Sequence, residues 1–490
     1  MSDSKYDVLI LGTGATEALL AAALSRHGLK VAHVDPNERY GGTGAVVSLE
    51  ELLALDLDGC EKELAEDIAP LLKDSRRFTL ELSPKLIYSS GSLVDVMIKS
   101  NVSNYLEFRA LETTQLLWEN ALESVPCSKE DIFKNESIGL LEKRRLMKLL
   151  SQFVDASAAT TTTNNDGEIG TVEQVDAEEL SPFAEFLEKQ GLLPKSRAIL
   201  FNAIGLFLNK HDVQRVTKKE GIAAVKQYLG SIGRFGATPF LSGVYGTSSE
   251  VSQAFCRVCA VHGGTYILEY SPTSSLYETD EAGQLQFVFN GRDVLEKGNS
   301  EETVLATKWV VASPSCATRF QSVLQQSNVV YTEEKETKRI SRCIAIYESK
   351  IDAIGEPGLI VIPPKDNTKN GIVAIQHSHN TLVCPSGKFV LYLSTESDAT
   401  STAKQDLGDA LNSLIGSDST EIKPLVTVFY TQTIETPKIA STSNRVIITK
   451  DSSETVGFEE NVREAKDVFE HIVGTSVEFL PATENQEEDD

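Results

Sequence analysis

The chain opens with an apolar run, Tyr6 to Leu11, then Gly12-Thr13-Gly14, then a second apolar stretch from about Ala15 to His27 that stops at Gly28. The first run predicts a buried strand and the second a helix ended by glycine. A third run, Leu29 to Val34, ends in Asp35, 23 positions after Gly12, and completes the outline of a dinucleotide-binding strand-helix-strand unit. Apolar spacing predicts mostly helix over 80–105 and 121–154, broken at Pro84 and Pro126. The polar stretch 157–176, SAATTTTNNDGEIGTVEQVD, buries too little apolar surface to order itself and reads as a flexible insertion. Two helical patterns follow over 182–208, each opened by a proline, Pro182 and Pro194.

From Gly233 onward glycine and β-branched residues return. Strand-like runs fall at Gly264 to Glu269, Leu285 to Phe289, Trp309 to Ala312, Ile340 to Tyr347, Leu359 to Ile362 and Phe389 to Leu393. A last strand, Arg445 to Thr449, and a helix, Asn461 to Ile472, return the chain to a sheet. The pattern predicts an α/β fold: a Rossmann-type, FAD-binding-like domain I with several sheets, built from 1–120 and 228–480, and an inserted α-helical domain II over 121–227. An acidic tail occupies 481–490.

Composition narrows the class. With 41% hydrophobic and 24% charged residues over 490 positions, the chain is globular. A net charge of −25 and a pI near 4.8 disfavour nucleic acid and anionic membrane surfaces, which both need clustered Lys or Arg. The opening reads as the first strand of the fold rather than a secretion signal. The closing ENQEEDD carries no cysteine for prenylation, so any lipid belongs to a partner. Seven scattered cysteines point to a reducing, cytoplasmic setting, and Cys256 and Cys259 form a lone C-x-x-C without a second pair for zinc. His377 and His379 have no companion ligand at metal spacing, so no metal site is expected.

The glycine motif carries the main chemical argument. Glu17 stands where the third glycine of G-x-G-x-x-G belongs, in the first helical turn, where exposed N–H groups would receive a pyrophosphate. Like charges at about 4 Å and an effective dielectric near 20 cost on the order of 4 kcal/mol. Gly12, Gly14, Glu17 and Asp35 are therefore read as a degenerate motif with no cofactor. Asp35 is either a relic of a ribose contact or a local cap. No hydrolase elbow, metalloprotease or phosphate-loop motif is present, so no catalytic residues are assigned.

The segment 7–35 with Tyr40-Gly41-Gly42, the stretch 76–108, GRFGATPFLSGVYG (233–246) and FCRVCAVHGGTYIL (255–268) together resemble the superfamily that joins Rab GDP-dissociation inhibitors to Rab escort proteins. SNVSNYLEF, VPCSKEDIF (125–133), EKRRLMKLL (142–150) and CRVCAVHGG resemble the escort branch, whereas TSSEV at 247–251 departs from the usual Gly-Glu-Leu-Pro.

The resemblance implies a non-catalytic accessory component of the Rab geranylgeranyltransferase heterodimer. Such a protein binds GDP-bound Rab GTPases, shelters the geranylgeranyl lipid and touches membranes transiently. A Rab-binding platform would comprise Tyr40, Glu250, Arg257, Thr265 and Ile267. Phe183, Phe186 and Leu187 would form the transferase face, unless that stripe is core. Leu359 and Val361 would belong to the cleft for the Rab tail. The competing readings are a dissociation inhibitor that recycles prenylated Rabs and a flavin-dependent oxidoreductase of the same fold.

Overall fold

The computed structural model of the chain describes residues 4–126, 129–135, 138–158, 179–269, 276–279, 284–289, 303–319, 330–351, 354–365, 369–398, 400–415, 422–441 and 445–482. The expected polar insertion, from 159 on, and the acidic tail, from 483 on, lie outside the described residues.

Val8–Leu11 is buried at every position, as a strand covered on both faces must be. It lies at the centre of a five-stranded parallel sheet in the order Thr265–Ile267, Val31–Val34, Val8–Leu11, Trp309–Ala312, Val446–Ile448. The opening helix, Ala15–Arg26, is alanine- and leucine-rich because it is packed on nearly all sides. Val251, Phe255 and Val258 of the helix Thr247–Val261, and Val462 and Phe469 of the last helix, Glu459–Val473, share its core. This sheet therefore draws strands from the start, middle and end of the chain.

A second, eight-stranded sheet runs 121–124, 113–118, 358–362, 372–378, 389–396, 330–347, 426–441, 61–64. Its pairs are antiparallel apart from 358–361 with 113–116. The helical run packs on one face of it, and Leu146, Phe153, Phe183, Leu187, Phe201 and Tyr228 share a cluster with Leu359, Val361, Val373 and Ile375. Gly221 on the helix Lys218–Ser231 makes room there, since a Cβ would stand 2.1 Å from the Phe183 ring. No helix among the described residues is long and apolar enough to cross a membrane.

Two expectations need correction. The span 80–105 is not mostly helical: it holds the two-residue strands Leu80–Glu81 and Ile87–Tyr88, one helix, Ser92–Lys99, and a short 3-10 turn at Val102–Tyr105. Strands so short are set by their partners, Val46–Val47 and Phe240–Leu241, and leave no periodic trace. Ala121–Ser124 is a strand, hairpinned to Gln115–Trp118, and helix begins only at Lys129.

Candidate functional site

The turn after the first strand is built for close approach. Gly12 has φ +103, and a Cβ there would stand 2.5 Å from Ser313 Oγ. Gly14 then precedes the helix and contributes no side-chain cap. In a nucleotide site the free N–H groups of this turn would face a phosphate. Here the Glu17 side chain folds back over the turn, and its Oε2 would lie 2.6 Å from a Cβ on Gly14. Thr449 Oγ1 donates to Glu17 Oε1 at 2.6 Å.

Glu17 is only 3% exposed. Burial pushes its carboxyl up to about 7, opposed by the Thr449 hydrogen bond and assisted by the nearby charges of Asp451 and Asp35. Near neutral pH the group is thus only about half charged, and its repulsion of a phosphate is weaker than a full charge would give. Space decides the matter instead. The cavity remaining between Gly14–Glu17, Gly41–Gly44 and Lys450–Ser453 measures about 50 Å³, against at least about 300 Å³ for typical small-molecule sites. The residues present do not fit a dinucleotide.

Asp35, 1% exposed, accepts from Thr13 N at 2.8 Å, Thr13 Oγ1 at 2.7 Å, Asn37 N at 2.8 Å and Asn37 Nδ2 at 2.9 Å. Both its oxygens are spent on the turn, which favours the capping role. His33 on the neighbouring strand donates from Nε2 to Gly12 O at 2.5 Å and accepts at Nδ1 from Tyr266 at 3.2 Å. Its burial lowers its pKa to about 4, which keeps it neutral.

A second site lies beside this turn. The helix Thr247–Val261 carries Glu250 and Arg257 two turns apart on its outer face. Glu250 is half-buried, and desolvation raises its pKa. Arg257 is exposed and lies over the Tyr105 ring at 4.5 Å. Tyr40 joins from the other side, edge-on to Tyr266 at 5.8 Å. Thr265 and Ile267 occupy the edge strand of the parallel sheet, where Thr265 Oγ1 accepts from Tyr6 at 3.2 Å. They alternate with Tyr266, so they point to the opposite face of the sheet and meet the rest of the set only along that edge.

Glu81, which sequence reasoning missed, caps this helix from 166 residues away. Its Oε1 accepts from Thr247 N at 2.7 Å and Ser248 N at 2.8 Å, where Gly246 supplies no cap. Glu81 is wholly buried, and burial raises its pKa to about 7 against the pull of those two N–H groups. Tyr266 was missed too. It faces Cys256 and Cys259, thiols whose pKa burial raises, that of Cys256 to about 12, so both stay protonated.

Elsewhere the structure sorts the expected residues by depth. Phe183 and Leu187 are fully buried, with Phe183 stacked against Phe201 at 6.0 Å. Phe186 alone of that stripe keeps partial exposure, beneath the Lys218 ammonium at 5.0 Å. Leu359 and Val361 are also fully buried, and their strand partners Ile375 and Val373 line a cleft of about 650 Å³ together with Tyr88, Leu206 and Phe207. His377 is buried against Thr381, whereas His379 is exposed.

The family model described as GDP dissociation inhibitor matches residues 1–484. The chain is 28% identical to a protein of Drosophila melanogaster named Rab proteins geranylgeranyltransferase component A, across 99% of this chain and 91% of that one. It is 27% identical to Rab escort protein 1 of Arabidopsis thaliana, across 99% and 95%. Among solved structures, the Rab GDI of Plasmodium falciparum superposes with a TM-score of 0.71 at 22% identity, covering 96% of this chain and 99% of that one. At that identity the match speaks for the α/β fold.

Proposed function

The chain belongs to the GDP dissociation inhibitor family, and from that premise we propose that it is an escort for Rab GTPases. It binds them in the GDP form, presents them to the Rab geranylgeranyltransferase heterodimer and delivers the prenylated product to membranes. The observation that carries this reading is a nucleotide seat filled by Glu17 next to an open polar platform at Glu250 and Arg257. The small space left at that seat speaks against a flavin reading. The likeness to component A and escort proteins along the whole chain supports an accessory rather than a catalytic role.

Each part has a physical task. The Arg257 guanidinium offers a planar fork to carboxylates and carbonyls, Glu250 accepts from a basic partner, and Tyr40 supplies amphipathic area. Thr265 and Ile267 extend the platform along the sheet edge. The helical run, as domain II, docks the transferase through Phe186, with Phe183 and Leu187 fixing its position from the core. Leu359 and Val361 back the floor of the cleft that takes the Rab tail. Exposing a geranylgeranyl chain of about 20 carbons to water would cost on the order of 15 kcal/mol, so a carrier has to shelter it. Holding the tail near the transferase raises its effective concentration, and many Rabs can then be served by one enzyme. The protein works in the cytoplasm and meets membranes transiently.

The test is prenylation of a Rab by the transferase with and without this protein. Lipid incorporation should depend on it, and Arg257→Ala should weaken capture of GDP-bound Rab on the order of tenfold; unchanged incorporation without the protein would refute the escort role. The family name and the likeness to a Rab GDI favour a second reading, a dissociation inhibitor that recycles prenylated Rabs. Failure to hold unprenylated Rab and transferase in one complex would favour that reading.

A further inference from the structure

The corner between the helices Lys129–Lys134 and Leu140–Ala158 stands apart from the rest of the surface. Three large apolar side chains are turned outward there: Phe133 is 64% exposed, Leu140 72% and Leu141 63%. Soluble chains seldom gather such residues without a use for them. They belong together, because Lys143 Nζ donates to Phe133 O at 2.6 Å and lies 6.0 Å from its ring, while Leu140 is one turn from Lys143 and Arg144. The inner face of the same helix, at Leu146, Leu149 and Phe153, is buried, so the outward set is not a displaced core.

Charge is what gives the patch its meaning. In a chain of net charge −25, this corner presents Lys143, Arg144 and Lys148, while Arg145 is turned to Gly191 O at 2.6 Å and to Glu142 at 3.7 Å. Arg144 and Lys148 are exposed, and neither has an acidic partner among the described residues. Glu142, the acid in the middle of the run, is turned inward to accept from Leu193 N at 2.7 Å and adds little surface charge. On the shorter helix Glu130 is tied to Lys134 at 2.7 Å, and Asp131 is the remaining acid.

The geometry points to this corner as a surface that seats the protein on an anionic lipid bilayer. Phe133, Leu140 and Leu141 would enter the headgroup boundary while the Lys and Arg side chains reach lipid phosphates and carboxylates. The combination is that of an interfacial helix, with short apolar insertion supplemented by basic attraction, and such binding is weak and reversible. An acidic protein surface would satisfy the cations but would leave the three apolar side chains without a matching pocket, so the bilayer is the better fit. The inference rests on the proposed delivery of prenylated Rab to membranes and names the face that makes the contact. It also qualifies the reading of overall charge, because a local basic patch escapes the repulsion that the net charge implies.

The full chain should co-sediment with vesicles of phosphatidylcholine containing about 30 mol% phosphatidylserine, bind pure phosphatidylcholine poorly, and release as salt rises to about 0.5 M. Arg144→Glu with Lys148→Glu, and separately Leu140→Ser with Leu141→Ser, should each lower partition on the order of tenfold with the melting temperature unchanged. If a pair melts early, Arg144→Ala with Lys148→Ala decides. Absence of binding to the charged vesicles, or binding that all these variants retain, overturns the assignment. Loss of transferase binding with vesicle binding intact also overturns it and makes the corner a protein-docking face. Rab capture, measured without vesicles on the same variants, separates this idea from the escort reading: the corner variants should keep it, and Arg257→Ala should weaken it on the order of tenfold while still binding vesicles.

Discussion

Glu17 shows how one side chain can change the business of a turn. Its carboxyl is desolvated, donated to by Thr449, and titrates at about 7 instead of its ordinary 4.5. A raised acid pKa means that the folded state holds the proton more tightly than the unfolded chain. Its contribution is therefore full below about pH 4.5 and is lost as pH rises through 7, amounting to about 3 kcal/mol. Glu17→Gln removes the titration and keeps an acceptor for Thr449. We expect the variant and the wild type to melt alike near pH 5 and the variant to melt several degrees higher at pH 8, measured by thermal scans. His33 and His377, both lowered to about 4 by burial, act in the opposite sense, losing stability as pH falls below 6.5. They are common to both proteins and cancel in the difference. The position and chemical type of Glu17 could be read directly from the glycine motif. Its protonation could not, because that depends first on burial by the folded chain and then on Thr449 and Asp451, more than 400 residues away, the one opposing and the other assisting it.

At the level of elements, the helix Thr247–Val261, which carries the proposed platform residues Glu250 and Arg257, depends on an acid it does not contain. Removing the Glu81 carboxylate leaves Thr247 N and Ser248 N buried without an acceptor, at a cost of roughly 2 kcal/mol. Glu81→Ala should thus lower the urea midpoint, speed amide exchange at 247–249 and weaken Rab capture severalfold although no platform residue is touched. Amide exchange unchanged at those positions would disprove the capping role. Elements whose own composition decides them were legible: the strand Trp309–Ala312 was read to the residue, and the apolar runs at 8–11 and 31–34 have the unbroken character of parallel strands. Elements decided by their partners were not. Ile372–Ser378 and Val426–Ser441 gain their edges only from the eight-stranded sheet, and the two-residue strands at 80–81 and 87–88 are too short to carry a period. The same logic holds for Phe183, Phe186 and Leu187, whose spacing marks a helical face but cannot say which of them Gly221 admits to the core.

For the molecule as a whole, the decisive fact is that the parallel sheet is finished by the end of the chain. Val446–Ile448 covers the strand Trp309–Ala312, and the last helix puts Val462 and Phe469 against the opening helix. A chain stopped at residue 444 would bare a hydrophobic sheet edge and one side of that helix. It should elute as aggregate in size-exclusion chromatography, whereas the full chain should elute as a discrete species. The sequence signalled this closure through the strand-then-helix pattern after residue 445. It could not signal the order of strands, which is set by pairing across hundreds of positions.

The clasp between Thr449 and Glu17 spans 432 residues. At about 5–20 residues per second, a ribosome needs roughly twenty seconds to a minute and a half to deliver the second partner after the first. Throughout that interval the Glu17 carboxyl has no Thr449 donor, and the opening helix lacks the cover that Val462 and Phe469 give it. The amino-terminal unit is thus held back from completion until translation is nearly over.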